Sequence, residues 1–303
     1  MAGEAAIEVE NLTKAYGRTK ALRDVSFSLA PGEVFGYLGP NGAGKTTTIR
    51  LLMGMIRPTS GATRVLGMDS WRDAVAVHRV VGYVPGETRL YDRLTGRQHV
   101  AYFGHLRGDP GEGRANALAG RLDLDLDRPT RSLSKGNRQK LAVVLALMSA
   151  PRVLVLDEPS GGLDPLVQHE FHALLREHTT TGGSVLLSSH VLDEVQRVAD
   201  RIGVLRAGQL VAVDRVDDLR AKSLHHVRAQ FADDVPATTF AAVPDVRDVA
   251  ITDRVLTCSA PEPAIDALVK QIAQHRLLNF ECVEADLEET FLTYYGSGAD
   301  DAA

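Results

Sequence analysis

Apolar and polar residues follow three rhythms along the chain, and each predicts a different kind of element. Alternation over residues 7–9 and 25–29 predicts antiparallel strands, and Pro31-Gly32 then turns the chain into the solidly apolar run 34–38. Runs of that second kind recur at 80–84, 153–156 and 184–187. Their length and lack of alternation suit strands buried on both faces of a parallel sheet. A helical period runs over 47–55, from Gly96 through His99 and Leu106, over 114–122, and from Ser134 through a long apolar stretch. The region from about 87 to 150 therefore reads as a helical lobe inserted between strands.

Beyond a hairpin at Ala207-Gly208 the composition changes, with Pro236, Pro244, Pro261 and Pro263 punctuating a second unit. Residues 227–231, 249–252, 255–259 and 280–283 read as strands and 264–274 as a helix. A capping-box start at Asp286-Leu287-Glu288-Glu289 opens a last helix with Leu287, Phe291 and Tyr294-Tyr295 on one apolar face. The expected organisation is a large α/β domain over 5–222, a small α/β domain over 223–297, and a tail from 298 to 303.

Chemistry enters after the run 34–38. Gly39-Pro40-Asn41-Gly42-Ala43-Gly44-Lys45-Thr46 fits G-x-x-x-x-G-K-[ST] between a strand and the helix that begins near Thr47. Glycines let the backbone curl and aim successive N–H groups inward, and the helix adds its positive end, so the loop favours a polyphosphate. Lys45 is placed to reach the outer phosphates, and the Thr46 hydroxyl to hold Mg²⁺.

Three later stretches deliver polar groups to the same place. Run 153–156 ends in Asp157-Glu158, and ligands of open α/β sheets bind at the carboxyl ends of strands. Asp157 then suits Mg²⁺, and Glu158 suits a general base for an attacking water. Run 184–187 delivers His190, a candidate sensor of the terminal phosphate. Ser134 is the N-cap of its helix, which gives that helix start the character of a second anion site. Tyr16, in Lys14-Ala15-Tyr16-Gly17, offers a ring for stacking on adenine.

Composition narrows the class. The 303 residues are 44% hydrophobic and 24% charged, ordinary globular material. The longest apolar stretch, 141–148, is far short of the roughly 20 residues that span a bilayer. Met1-Ala2-Gly3-Glu4 has neither the basic start nor the apolar core of a secretory signal, so the cytoplasm is expected. A net charge of −5 gives no basic footprint for nucleic acid. Cys258 and Cys282 are expected to pack as small apolar side chains, and Asp123, Asp125 and Asp127, His169 and His172, and His225-His226 to be surface residues rather than metal ligands.

Residues 39–46, Leu133-Ser134-Lys135-Gly136-Asn137, 153–158, Ser160-Gly161-Gly162-Leu163-Asp164 and His190 stand in the order of an ABC transporter ATP-binding subunit, which residues 5–222 resemble. They look like the family's Walker A, signature, Walker B, D-loop and switch histidine, and Tyr16 falls where the family keeps its adenine-stacking aromatic. The resemblance implies a P-loop core of ABC type with an antiparallel β subdomain and a helical subdomain. It implies ATP and Mg²⁺ as cofactors, Lys45, Glu158 and His190 as catalytic residues, and nucleotide contacts along residues 39–47. It implies a head-to-tail pair with a second ATP-binding subunit, a homodimer, in which Ser134, Lys135, Gly136, Asn137 and Asp164 meet the partner's nucleotide. Region 223–297 resembles the C-terminal accessory domain of drug-efflux ATPases that work with a separate permease.

The sequence departs from the family pattern at three places. Lys135 and Asn137 stand where the signature usually has glycine and glutamine, Gly86 replaces a glutamine that touches Mg²⁺ and relays to the permease, and Gly161-Gly162 replaces a bulkier pair in the D-loop. The expected function is an ATP-hydrolysing subunit on the cytoplasmic face of the membrane that drives an integral membrane permease, exporting hydrophobic drugs or antibiotics. The alternative is an ATP-driven switch of the same core acting on ribosomes or DNA.

Overall fold

The computed structural model describes residues 5–108, 111–222 and 224–284. The expected last helix, with Leu287, Phe291, Tyr294 and Tyr295, lies outside them. The chain forms two compact units that divide between Asp214 and Arg215.

In the first unit β1 (Ile7–Tyr16) and β2 (Thr19–Leu29) pair antiparallel and are longer than their alternation predicts. Their register slips between Val9 and Leu12, Leu12 and Lys14, and Lys14 and Ala15. Each slip moves the following side chains to the other face, which breaks the two-residue period. Next, β3 (Val34–Leu38), with all five residues buried, leads into the phosphate loop and α1 (Lys45–Leu52). Strands β4 (Ser60–Val65) and β5 (Met68–Asp69) complete an antiparallel sheet in the order β2-β1-β4-β5. A helix not expected from the pattern, α2 (Ala74–Val80), precedes β6 (Val81–Val84), so Val80 closes a helix rather than opening a strand.

The helical lobe holds α3 (Gly96–Arg107), α4 (Glu112–Arg121) and α5 (Lys135–Leu147). Thr95 Oγ1 accepts from the Gln98 amide at 3.2 Å, and Gln98 Oε1 accepts from the Thr95 amide at 2.9 Å, a reciprocal cap that fixes where α3 begins. Ser134 caps α5, as its position predicts, accepting from the Asn137 amide at 3.2 Å. From Gln139 to Leu147 every residue of α5 is buried, the mark of a helix enclosed on all sides.

The chain then builds β7 (Val153–Asp157), α6 (Pro165–Thr180), β8 (Ser184–Ser189), α7 (Leu192–Gln196), β9 (Arg201–Arg206) and β10 (Gln209–Arg215). With β3 and β6 they form a sheet in the order β10-β9-β3-β8-β7-β6. Neighbours from β9 to β6 are parallel, so the segments after β3, β7 and β8 leave the sheet at one edge. Every residue of β7 and β8 is buried, matching their unbroken apolar sequence. Gly36 in β3 is required by packing, because a β-carbon there would stand 2.0 Å from Val195 Cγ1. Helix α7 is thus seated on the middle of β3. Nearby, Phe27 and Phe35 stack at 5.1 Å in the core.

The second unit contains α8 (Val216–Lys222), β11 (Leu224–Phe231), α9 (Thr238–Ala241), β12 (Arg247–Thr252), β13 (Val255–Pro261), α10 (Glu262–Ile272) and β14 (Leu277–Glu284). Its antiparallel sheet runs β12-β13-β11-β14 over a core that includes Phe231, Phe240, Leu256 and Leu268. Cys258 and Cys282 register against opposite sides of Val227, so a strand lies between them and both are free thiols. Burial pushes the Cys258 thiol up to about 11.

Candidate functional site

The phosphate loop is held from three sides. A β-carbon on Gly39 would stand 2.3 Å from the Leu205 carbonyl oxygen, and Gly44, at φ 115, is the left-handed cap of α1 with the Ala21 carbonyl 2.8 Å from any β-carbon. Neither position accepts another residue without moving backbone. The Gly39 amide donates to the Ser189 carbonyl at 3.3 Å, and the Ala43 amide to that of Pro40 at 3.1 Å. Asn41, Gly42 and Thr46 are exposed and Thr47 half-buried, whereas Lys45 is buried. Its ammonium donates to the Gly39 carbonyl at 2.6 Å and the Pro40 carbonyl at 3.3 Å.

The two acids at the end of β7 differ by environment. Asp157 is buried, and its Oδ1 accepts from Ser188 Oγ at 2.7 Å. Its Oδ2 faces Gly86, where a β-carbon would lie 3.3 Å away. Glu158 takes a left-handed backbone, φ 49, a conformation that costs a non-glycine residue about 1–3 kcal/mol and clusters at functional sites. Its amide is fixed by the carbonyl and the hydroxyl of Ser188, at 3.1 and 3.2 Å. That turn aims the carboxylate back over the sheet edge. Oε1 lies 3.1 Å from Lys45 Nζ and Oε2 2.8 Å from His190 Nδ1. Three residues read separately from the sequence therefore meet on one carboxylate.

The remaining candidates lie elsewhere in the first unit. Tyr16, half-exposed at the end of β1, has Lys14 Nζ 4.9 Å from its ring centre. Lys135 is exposed, and a β-carbon on Gly136 would stand 2.5 Å from the Gly162 carbonyl, so the first turn of α5 packs on the D-loop. Asp164 caps α6, accepting from the Val167 amide at 3.0 Å. Among the described residues, no hydrogen bond or ion pair joins Ser134, Lys135, Gly136 or Asn137 to the phosphate loop.

Two features escaped the sequence. Ser188 hydrogen-bonds both acids, and Glu194 joins Ser160 to Ser189 on the loops that carry Glu158 and His190; the only advance signal was two hydroxyls ending an apolar strand. A groove of about 570 Å³, lined by Met53, Met55, Tyr83, Pro85, Phe103 and Leu145, opens beside β6 and the turn after it that holds Gly86. Arg107 lines it, donating to the Val81 carbonyl at 3.0 Å and to Ser149 Oγ at 2.8 Å, and burial lowers the pKa of its guanidinium. Glu87 is exposed, and its Oε2 accepts from Arg89 at 2.9 Å on the surface. Asp127 accepts two bonds from Arg97, which holds its carboxyl below the usual range. No cluster of metal-binding side chains occurs among the described residues.

A family model described as ABC transporter matches residues 22–161. The Nod factor export ATP-binding protein I of Ralstonia nicotianae is 34% identical over 300 residues, covering 96% of this chain and 94% of that protein. The daunorubicin resistance ATP-binding protein DrrA3 of Streptomyces coeruleorubidus is 40% identical over 225 residues, covering 73% of this chain and 71% of its own length. Among solved structures, an ATP binding subunit of an ABC transporter superposes with a TM-score of 0.67 at 32% identity, covering 71% of this chain and 92% of that one.

Proposed function

This chain belongs to the ABC transporter family of ATP-binding subunits, and on that premise we propose that it dimerises on ATP and drives a separate membrane permease that exports hydrophobic drugs or antibiotics. ATP hydrolysis coupled to transport is the activity of the family, whose ATPase subunits dimerise and pair with permeases. The observation that carries the catalytic reading is the convergence of Lys45 and His190 on Glu158, at 3.1 and 2.8 Å.

The division of labour follows from the groups present. Lys45 and the main-chain amides of Asn41, Gly42 and residues 44–47 neutralise and orient the phosphates, so that little covalent chemistry is left to the protein. Glu158 takes the proton of the attacking water, and His190 fixes the rotamer of that carboxylate while facing the terminal phosphate. Thr46 at the start of α1 and Asp157 at the end of β7 offer hard oxygen ligands, and Asp157 suits a cation because Ser188 orients one oxygen while the other is open toward Gly86. A Mg²⁺ ion held there would offset the negative charge of the phosphates. Tyr16 stacks on the adenine. Ser134, Lys135, Gly136, Asn137 and Asp164 serve the partner's nucleotide in the dimer, which accounts for their separation from the phosphate loop within one chain.

The apolar groove beside Gly86 is the docking place for the permease. We assign the second unit to assembly rather than chemistry, since none of the candidate residues lies in it. Export as the direction rests on relatives named for Nod factor export and daunorubicin resistance. Coexpression with a multi-span membrane subunit, followed by pull-down and drug-efflux measurement in vesicles, tests the proposal. ATP-dependent efflux that is lost with Glu158→Gln is the expected result. Recovery of ribosomes or DNA in place of a membrane subunit would overturn it.

A further inference from the structure

One carboxylate oxygen beyond the three converging residues holds two of their loops together. Glu194 Oε2, on α7, accepts from Ser160 Oγ at 2.6 Å and from Ser189 Oγ at 3.1 Å. Ser160 lies two residues after Glu158, and Ser189 immediately precedes His190. Ser189 Oγ in turn accepts from the Val191 amide at 3.0 Å, so the backbone on both sides of His190 is tied to the same point. A carboxylate accepting hydroxyl bonds makes shorter and stronger contacts than a neutral acceptor, and partial burial protects them from water.

The anchor itself is firm. Val195, the next residue, fills the space over Gly36 so closely that a β-carbon there would meet it at 2.0 Å. Gly36 lies in β3, the strand that delivers the phosphate loop. Glu194 thus measures the positions of the base loop and the histidine loop from the strand that carries Lys45. Without it, the turn at Glu158 keeps its amide bonds to Ser188 but loses the restraint on the segment that follows. The geometry points to Glu194 as a positioning residue that sets the 2.8 Å approach of Glu158 to His190 through Ser160 and Ser189. This inference rests on Glu158 being the base.

The test is steady-state ATPase kinetics on the full chain carrying Glu194→Ala, Glu194→Gln, Ser160→Ala and Ser189→Ala. Small misplacement of a catalytic group costs up to about a hundredfold in rate, so Glu194→Ala is expected to lower kcat about tenfold or more while KM for ATP stays within about twofold, because the phosphate loop meets Ser189 only through the main-chain bond from the Gly39 amide, which is kept. Glu194→Gln keeps an acceptor and should recover part of the loss. Ser160→Ala combined with Glu194→Ala should be no slower than Glu194→Ala alone, because both break one bridge. In a Glu158→Gln background, Glu194→Ala should leave the residual rate unchanged, there being no base to place. A Glu158→Gln variant with normal turnover would refute the assignment of the base; a low residual rate that Glu194→Ala lowers further would refute only the positioning role. Multiplicative losses in the double variant, or kcat and KM falling together with the melting temperature, would reduce Glu194 to a packing residue and overturn the inference.

Discussion

Lys45 Nζ lies 3.1 Å from Glu158 Oε1, joining the cation of the phosphate loop after β3 to the acid that follows β7, two strands away in the sheet. The ammonium is buried and also donates to the carbonyls of Gly39 and Pro40. A buried charge with three oxygen partners is pre-aimed rather than mobile, and its loss leaves those oxygens unsatisfied. One contact therefore links binding and chemistry, and the two can be separated by mutation.

Lys45→Ala removes the binding partner. A charge-assisted hydrogen bond contributes roughly 1.5–3 kcal/mol, which predicts a loss of about ten- to a hundredfold in ATP affinity. Equilibrium titration with nucleotide measures it directly. Affinity equal to the parent's would remove Lys45 from the phosphate site.

Glu158→Gln removes the base and keeps the shape. General-base catalysis contributes typically about 10²- to 10⁴-fold, so turnover should fall by at least two orders of magnitude while ATP still binds. The ATP-bound dimer should accumulate and be visible by sedimentation. Turnover within a few fold of the parent would place the base elsewhere.

The site was legible where chemistry is local in sequence and obscure where it is assembled from a distance. Residues 39–46 carry their own geometry in three glycines, and the apolar runs of β3, β7 and β8 announce burial on both faces, so the shared sheet edge followed from the pattern. The lengths of β1 and β2 were not legible, because register slips scramble alternation. Glu194 was hidden for another reason. Its partners, Ser160 and Ser189, are 34 and 5 residues away and share no periodic relation to it. Gly36 likewise looked like an ordinary strand glycine until Val195 was found seated on it.

Gly86 and Glu87 make opposite predictions. Gly86 does not have a positive φ, and a side chain there would begin 3.3 Å from Asp157 Oδ2, so Gly86→Gln should fold and bring an amide to the metal side of Asp157. The Mg²⁺ concentration for half-maximal turnover should shift, with metal-free nucleotide binding unaltered. Glu87→Ala should change turnover less than about twofold, since its exposed pair with Arg89 is of the kind worth at most about 1 kcal/mol. An unshifted Mg²⁺ dependence in Gly86→Gln would show that this side of Asp157 does not face the ion.

His178 sets a pH dependence of stability that is independent of catalysis. The ring is buried on α6, its Nε2 has no hydrogen-bond partner among the described residues, and a β-carbon on Gly183 would stand 2.2 Å from that nitrogen, which leaves the ring enclosed by backbone. Burial is the main cause, with Arg114 adding to it, of a pKa pushed down from 6.5 to about 4. The sign follows from which state binds the proton. Above 6.5 the imidazole is neutral in both states and the fold loses nothing; below it the unfolded chain takes up a proton that the folded chain refuses until about pH 4. Stability should therefore decline as pH falls through that window, by up to about 1.4 kcal/mol per pH unit from this residue. His178→Leu removes both the titration and an unsatisfied buried nitrogen, whose desolvation costs about 1–3 kcal/mol. Denaturant melts of the parent and the variant at pH 7, 6, 5 and 4 isolate the term, because the other groups titrate in both proteins and cancel in the difference. The variant should match or exceed the parent at pH 7 and gain on it steadily toward pH 4. Parallel stability profiles for the two proteins would mean that water reaches His178 and that its pKa is ordinary.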